Sequence, residues 1–205
     1  LAICRTGVQT QRQPFPDLPA EASGLPTVAP CACTECGQCT AVCPTRAITV
    51  RRDAQGPVVA LDRGRCLGCR ACLEACPTGT LAEDRATRTA TRTREALIVS
   101  NRPAPVAPAP AATPFRRSLH IREVSTGDNA TDLEVLASTN AVFDVARFGV
   151  HFVASPRFAD ALLVTGPVGR GMREAVRRCY EAMAEPRLVI AAGTSAISGG
   201  LFRDG

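Results

Sequence analysis

The chain has 205 residues, enough for one domain or two small ones, and its 45% hydrophobic content is ordinary for a globular protein. The net charge is +5, and all 24 basic residues are arginines scattered along the sequence. Seven Phe and one Tyr accompany them, so the aromatic stacking platform of a nucleic-acid-binding protein is not predicted. No apolar run reaches the roughly 18 residues of a membrane span, and no signal peptide is predicted.

Residues 1–32 are predicted to form an extended N-terminal arm. Five prolines prevent a continuous helix there, namely Pro14, Pro16, Pro19, Pro26 and Pro30. Apolar residues recur along the arm and favour docking on a partner: Phe15, Leu18, Leu25 and Val28. Cys4 and Cys31 lie in the arm, and we predict that Cys31 is not a ligand because the motif after it is complete without it.

One cysteine motif then occurs twice. The first copy is Cys33-x2-Cys36-x2-Cys39-x3-Cys43-Pro44, and the second is Cys66-x2-Cys69-x2-Cys72-x3-Cys76-Pro77. This spacing is typical of bacterial-type domains that hold two [4Fe–4S] clusters. Zinc sites usually pair two distant Cys-x2-Cys turns, and a disulfide scaffold gives no reason for a repeated spacing. We therefore predict two [4Fe–4S] clusters, which also implies a reducing compartment.

The two motifs are predicted to exchange their last ligands. In this motif the fourth cysteine, which precedes proline, ligates the cluster of the other copy. The first cluster is then held by Cys33, Cys36, Cys39 and Cys76, and the second by Cys66, Cys69, Cys72 and Cys43. These eight cysteines are the predicted cofactor and metal ligands, and no catalytic residue is predicted.

The segments around the motifs complete an α+β bacterial ferredoxin fold over residues 33–82. Apolar stretches at 47–50 and 58–61 flank a polar turn and predict a hairpin. A short helix is predicted after Pro44 and another after Pro77. Because so small a domain buries little apolar surface, we expect cluster ligation to dominate its stability.

Residues 83–101 are a connecting segment whose alternating Thr and Arg fit either an exposed strand or a polar helix. Residues 102–114 contain five prolines and are predicted to be a semi-rigid linker.

Residues 115–205 alternate predicted strands with helices. Strands are expected at 119–124, 149–154, 161–165 and 187–192, with helices from Asn129 or Thr131 to Leu136 and from Gly169 to Met183. Such alternation implies a small α/β parallel-sheet domain of flavodoxin-like type.

Four other features are predicted to be structural. His120 and His151 fall within strands and are expected to be packed or surface residues. The glycine-rich stretch 166–171 lacks a complete phosphate-loop motif. Cys179 is expected to be a buried apolar residue and Arg157 a solvated one.

The ferredoxin motif resembles the two-cluster subunit of group 4 membrane-bound [NiFe]-hydrogenases, formate hydrogenlyase and respiratory complex I. The stretches Arg5–Val8, Gly24–Pro26 and Leu97–Val99 are also similar to that subunit. The second unit resembles the small, cluster-bearing subunit of the same complexes, through 133–134, 147–149, 154–157, 159–160, 163–166 and 198–200. The chain thus resembles a fusion of two subunits.

The resemblance fails at the cluster of the small subunit. That family holds one [4Fe–4S] cluster with four cysteines, and the first three positions correspond here to Asp128, Thr131 and Ser195. The fourth position falls beyond Gly205. Oxygen donors suit such a cluster poorly, so we predict that this domain lacks the cluster.

The resemblance implies an iron–sulfur electron-transfer subunit of a hydrogenase-like or complex I-like oxidoreductase, with the C-terminal domain as a scaffold. Expected partners are a large subunit, membrane subunits and a redox donor or acceptor protein, and the expected location is peripheral, on the cytoplasmic face of the membrane. The alternatives are an autonomous soluble ferredoxin with an appended α/β binding module and a non-redox use of the clusters in structure or sensing.

Overall fold

The computed structural model describes residues 5, 16–30, 33–102, 115, 117–127 and 130–203. In chain order its strands are β1 (Leu25–Val28), β2 (Ile48–Asp53), β3 (Gly56–Asp62), β4 (Leu81–Asp84), β5 (Ile98–Ser100), β6 (Leu119–Ser125), β7 (Val150–Phe152), β8 (Ala161–Thr165) and β9 (Leu188–Ala192). The α-helices are α1 (Gln38–Ala41), α2 (Ala71–Ala75), α3 (Thr131–Ala137), α4 (Arg173–Glu181) and α5 (Gly193–Ser198). Short 3₁₀ turns cover Glu95–Leu97, Val145–Phe148, Pro156–Phe158 and Gly200–Phe202.

The ferredoxin part contains two small antiparallel sheets. The predicted hairpin is confirmed: β2 pairs with β3 from Ile48↔Leu61 to Asp53↔Gly56, and β5 adds to the other edge of β3. The second sheet consists of β1 and β4. Strand β1 lies within the predicted extended arm, so Leu25–Val28 of the arm forms a sheet with its own chain. Pro26 has no N–H to donate to a neighbouring strand. It is tolerated because each strand of a two-stranded sheet has one edge that pairs with no other strand.

Both predicted helix positions in the ferredoxin part are wrong. The helices do not follow Pro44 and Pro77; α1 and α2 lie before those prolines and contain Cys39 and Cys72. After each proline the chain reaches a residue with positive φ, Arg46 (51°) or Gly79 (67°). A left-handed residue cannot continue a right-handed helix, so the backbone turns there into β2 or β4.

The described part of the arm lies against its own chain. The amide N of Leu18 donates to the carbonyl O of Arg85, and the Arg85 side chain donates back to the carbonyl O of Leu18. Residues 87–94 form neither the strand nor the helix considered above, but bends that lead into the Glu95–Leu97 turn. Of the predicted linker, residues 103–114 lie outside the described residues.

The C-terminal domain is built on a parallel sheet, as predicted, and its strand order is β7-β6-β8-β9. The central strand β8 is buried along its whole length. One face packs Val124 and Leu162 against Met183 and side chains of α4, and the other packs Ile121 and Leu163 against Val135 of α3. The sheet therefore has an apolar core on both faces.

Candidate iron–sulfur centres

The first three cysteines of the first motif and the last cysteine of the second line one cavity. These are Cys33, Cys36, Cys39 and Cys76, and the wall between them includes Val50, Val59, Leu81, Thr78 and Thr80. The loop 33–39 brings three of these cysteines, while the fourth arrives between α2 and β4. The structure thus brings together the four residues predicted for the first cluster.

A second cavity repeats this arrangement. It is lined by Cys66, Cys69 and Cys72 from the second motif and by Cys43 from the first. Apolar residues complete the wall, among them Pro26, Ile48, Leu61 and Leu67. The structure thus places the eight predicted ligands around two cavities in the crossed arrangement.

Left-handed residues let each loop wrap around its cavity. The positions before the second cysteine, Glu35 and Gly68, have φ of 55° and 69°. The positions after it, Gly37 and Arg70, have φ of 73° and 64° and precede α1 and α2. Because glycine adopts this conformation freely and other residues do so at a cost, Glu35 and Arg70 are held there by the fold.

Backbone amides in each loop donate to sulfur. The amide N of Glu35 lies 3.4 Å from Cys33 Sγ, and that of Gly68 lies 3.4 Å from Cys66 Sγ. The amide N of Ala47 lies 3.2 Å from Cys43 Sγ. Hydrogen bonds to the sulfurs are one of the factors that set the reduction potential of an iron–sulfur cluster.

Each fourth cysteine also has a threonine hydroxyl nearby, which sequence analysis missed. Thr45 Oγ1 lies 3.8 Å from Cys43 Sγ, and Thr78 Oγ1 lies 3.6 Å from Cys76 Sγ. The repeated Cys-Pro-Thr at 43–45 and 76–78 was a signal that could have revealed both.

The thiols influence one another within each set. Burial and then the neighbouring Cys76 raise the pKa of Cys39. Burial, followed by the charges of Cys66, Cys43 and Cys69, raises the pKa of Cys72 to about 11. Burial acts to raise the pKa of Cys76 as well, but hydrogen bonds from the Leu81 backbone and from Thr78 lower it to about 7. Such thiols repel one another's charge until a cation compensates it, and iron supplies that charge.

The donor set fits two cubane clusters. A cubane needs four thiolates at four separate corners, and each cavity is lined by four cysteines in an otherwise largely apolar wall. Among the described residues, no three His, Cys, Asp or Glu side chains form a group that could hold a single metal ion.

The C-terminal domain contacts the second cysteine loop. Thr194 Oγ1 in α5 donates to the carbonyl O of Cys66 at 2.7 Å. Gly64 lies beside Ile197, and a Cβ at Gly64 would be 2.8 Å from Ile197 Cγ2 and 2.9 Å from Arg94 Cζ. Arg94 in turn pairs with Asp62 at 2.5 Å. Gly64 thus permits α5 to approach the ferredoxin backbone.

The positions that correspond to the small-subunit cysteines lie at the carboxyl edge of the parallel sheet. Thr131 begins α3 after β6, and Ser195 lies in α5 after β9, whereas Asp128 is outside the described residues. A Cβ at Gly193 would be 2.8 Å from Thr131 Oγ1, and one at Gly200 would be 3.1 Å from Ser195 Oγ. Both side chains are therefore packed closely against backbone.

The other candidate residues have structural surroundings. The rings of His120 and His151 lie 5.7 Å apart, and His120 Nδ1 is 3.3 Å from Asp160 Oδ2. Cys179 is half-buried against the core beneath α4, close to the buried apolar position predicted for it. Residues 166–171 form a loop before α4, and Arg157 lies in a 3₁₀ turn.

Two family models match separate parts of the chain. Residues 32–80 match the family model described as 4Fe-4S dicluster domain, and residues 129–205 match that of NADH ubiquinone oxidoreductase, 20 Kd subunit. The chain carries both domains. We refer below to the dicluster domain and to the 20 Kd-subunit domain.

Three curated relatives illustrate the similarity. Formate hydrogenlyase subunit 7 of Escherichia coli is 39% identical over 91 residues, which are 44% of this chain and 36% of that protein. The probable membrane-bound hydrogenase subunit mbhJ of Pyrococcus furiosus is 42% identical over 87 residues, or 42% of this chain and 52% of the relative. An NADH-quinone oxidoreductase subunit of Desulfovibrio desulfuricans is 40% identical over 98 residues, or 48% of this chain and 54% of the relative.

The chain thus spans between 36% and 54% of the length of these three relatives. Across the described residues, no helix has the length and apolar character needed to cross a membrane.

Proposed function

We propose that the chain is an electron-transfer subunit that carries two [4Fe–4S] clusters within a hydrogenase-like or complex I-like membrane complex. The observation that carries this proposal is the crossed set of eight cysteines around two neighbouring cavities. When bound, the clusters supply one-electron redox chemistry, and the chain supplies thiolate ligands, apolar walls and hydrogen bonds to sulfur. The named relatives, which are subunits of such enzymes, support the assignment.

We propose further that the 20 Kd-subunit domain is a scaffold without a cluster of its own. Hydroxyl residues stand at Thr131 and Ser195, where the family has thiolate ligands, and both are packed against glycine backbone. The Thr194 contact to the Cys66 carbonyl joins this domain directly to the loop of the second cluster. The domain would then hold the dicluster domain against a neighbouring subunit.

The surface of the 20 Kd-subunit domain supports an obligate partner. Large apolar side chains are exposed on α3 and on the segment that follows it, and we call Leu133, Leu136, Val142, Phe143 and Phe148 the α3 apolar surface. Leu133 and Leu136 are 65% and 64% exposed, and Val142 is 78% exposed. Several large exposed apolar side chains along one segment are typical of an interaction site. We propose that a large subunit of the complex covers it, on the cytoplasmic face of the membrane.

The test is to tag the chain in its own organism and purify it anaerobically from detergent-solubilised membranes. We expect co-elution with a large subunit and membrane subunits, and about eight irons per chain with matching sulfide, since two cubanes require them. Reduction with dithionite should produce the electron paramagnetic resonance signals of two reduced clusters. About twelve irons per chain, or none, would contradict the assignment.

A variant separates the scaffold proposal from the cluster proposal. Leu133→Asp/Leu136→Asp should abolish co-elution with the large subunit while iron content is kept, because it places charge on the α3 apolar surface. Val168→Asp, at an exposed apolar residue outside that surface, is the matched control and should co-elute normally. A monodisperse monomer with both clusters in the wild-type chain would instead favour the autonomous ferredoxin.

A further inference from the structure

The two halves of the dicluster domain differ at one polar position. Thr45 and Thr78 occupy matching places, two residues after Cys43 and Cys76. Two residues farther on, the first half has Ala47 and the second half has Thr80. Ala47 and Thr80 are both buried, at 2% exposure each. The repeat is therefore symmetric in its cysteines and asymmetric in one buried hydroxyl.

Thr80 contacts the threonine beside the ligand. Thr80 Oγ1 lies 2.7 Å from Thr78 Oγ1, and Thr78 Oγ1 lies 3.6 Å from Cys76 Sγ. A buried hydroxyl requires a hydrogen-bond partner, and within the described residues Thr78 Oγ1 is the partner recorded for Thr80 Oγ1. If Thr80 donates its proton to Thr78, the proton of Thr78 is directed to the sulfur.

This orientation matters because Thr78 is exposed to solvent. When no fixed donor gives a hydrogen bond to the oxygen of an exposed hydroxyl, the hydroxyl rotates and its proton can point to water or to other protein acceptors. The bond from Thr80 occupies one lone pair of Thr78 Oγ1 and so restricts the rotation. Thr45 has the same relation to Cys43, at 3.8 Å, but Ala47 has no hydroxyl with which to restrict it.

We propose that Thr80 is a positioning residue that directs the Thr78 hydroxyl to Cys76 and raises the reduction potential of the first cluster. The inference rests on the proposed function, because it requires both clusters. A hydrogen bond to a thiolate stabilises the reduced cluster more than the oxidised one, since reduction adds negative charge. Transfer of one electron from the reduced second cluster to the oxidised first cluster would oxidise the second and reduce the first, with no proton moved and no bond broken. The Thr80–Thr78 pair favours that direction.

The test is a potentiometric titration of the anaerobic holoprotein, followed by electron paramagnetic resonance so that two one-electron steps are resolved. We expect Thr78→Val to lower one midpoint potential by up to about 59 mV, which corresponds to a tenfold change in the one-electron reduction equilibrium. Thr80→Val should lower the same midpoint potential by less. Thr80→Ser, which keeps a hydroxyl at this position, should have the wild-type midpoint potential. Thr45→Val should lower the other midpoint.

A gain-of-function variant completes the design. Ala47→Thr introduces the missing hydroxyl into the first half and should raise the midpoint that Thr45→Val lowers. Iron content is measured in every variant. Unchanged midpoints in Thr80→Val with both clusters present, or a shift that Thr80→Ser does not rescue, would overturn the inference alone. Absence of clusters from the wild-type protein would overturn the proposed function instead.

Discussion

In the dicluster domain the buried residues include two of the proposed ligands, Cys39 and Cys72, whereas the 20 Kd-subunit domain is centred on the aliphatic strand β8. Cys33, Cys43, Cys66 and Cys76 pack around this first core, whose buried aliphatic residues are Ile48, Val59, Leu61 and Leu81. The second domain has an apolar core on each face of its sheet. The core of one domain thus includes proposed cluster ligands, whereas the core of the other does not, although the second domain matches the family model of an oxidoreductase component.

The sharpest test of this comparison removes ligands in pairs. If the ligation is crossed, Cys43→Ser/Cys66→Ser removes two ligands of one cluster, and about four of about eight irons should remain. Cys39→Ser/Cys43→Ser removes one ligand from each cluster and should leave almost no iron. Iron and sulfide analysis of anaerobic protein measures both. Cys179→Ser, in the other domain, is the control and should keep all the iron.

The reverse result for the two pairs would show uncrossed ligation. Cys39→Ser/Cys43→Ser would then keep half of the iron, because both residues would serve one cluster. Cys43→Ser/Cys66→Ser would lose nearly all of it.

The converse test weakens the aliphatic core. Leu162 lies in β8 at 1% exposure, and Leu162→Ala should lower the stability of the 20 Kd-subunit domain by about 2–5 kcal/mol through lost burial and the cavity left behind. Hydrogen exchange of the full chain should show faster exchange in β6 and β8, with the visible absorbance of the clusters unchanged. Leu136→Ala, at a 64% exposed position, is a matched control with little expected effect. Loss of the clusters in Leu162→Ala would show that the two domains do not hold their cores independently.

The same difference determines what the sequence could predict. The ligand spacing is local and repeated, so the eight cysteines and their crossed sets could be predicted from the motif. The strands β8 and β9 could be predicted as well, because they are short, largely apolar runs followed by Gly166 and Gly193. The hairpin was predictable for a similar reason, as its polar turn separates two apolar stretches.

Other features depend on conformation that the sequence signals only weakly. The prolines after Cys43 and Cys76 suggested helix starts, whereas Arg46 and Gly79 turn the chain instead. Strand β1 was hidden by Pro26, which fits only because it lies in a two-stranded sheet. The contact of Thr194 with Cys66 joins residues far apart in the chain, and no local pattern indicates it.

The smallest expected effect concerns that junction. Thr194→Val removes one hydrogen bond to the Cys66 carbonyl, which is worth about 1 kcal/mol, and should leave both domains folded and the iron content unchanged. Gly64→Val places a branched side chain where even a Cβ would lie 2.8 Å from Ile197 Cγ2, so it should separate α5 from the loop more completely. Hydrogen exchange at residues 64–68 and 193–198 should increase in both variants, and more in Gly64→Val. Gly169→Ala, where a Cβ meets no atom within 4 Å, is the control. If exchange in these two segments stayed at the wild-type rate in Gly64→Val, the 20 Kd-subunit domain would not be held on the dicluster domain by this contact, and the scaffold role would need another surface.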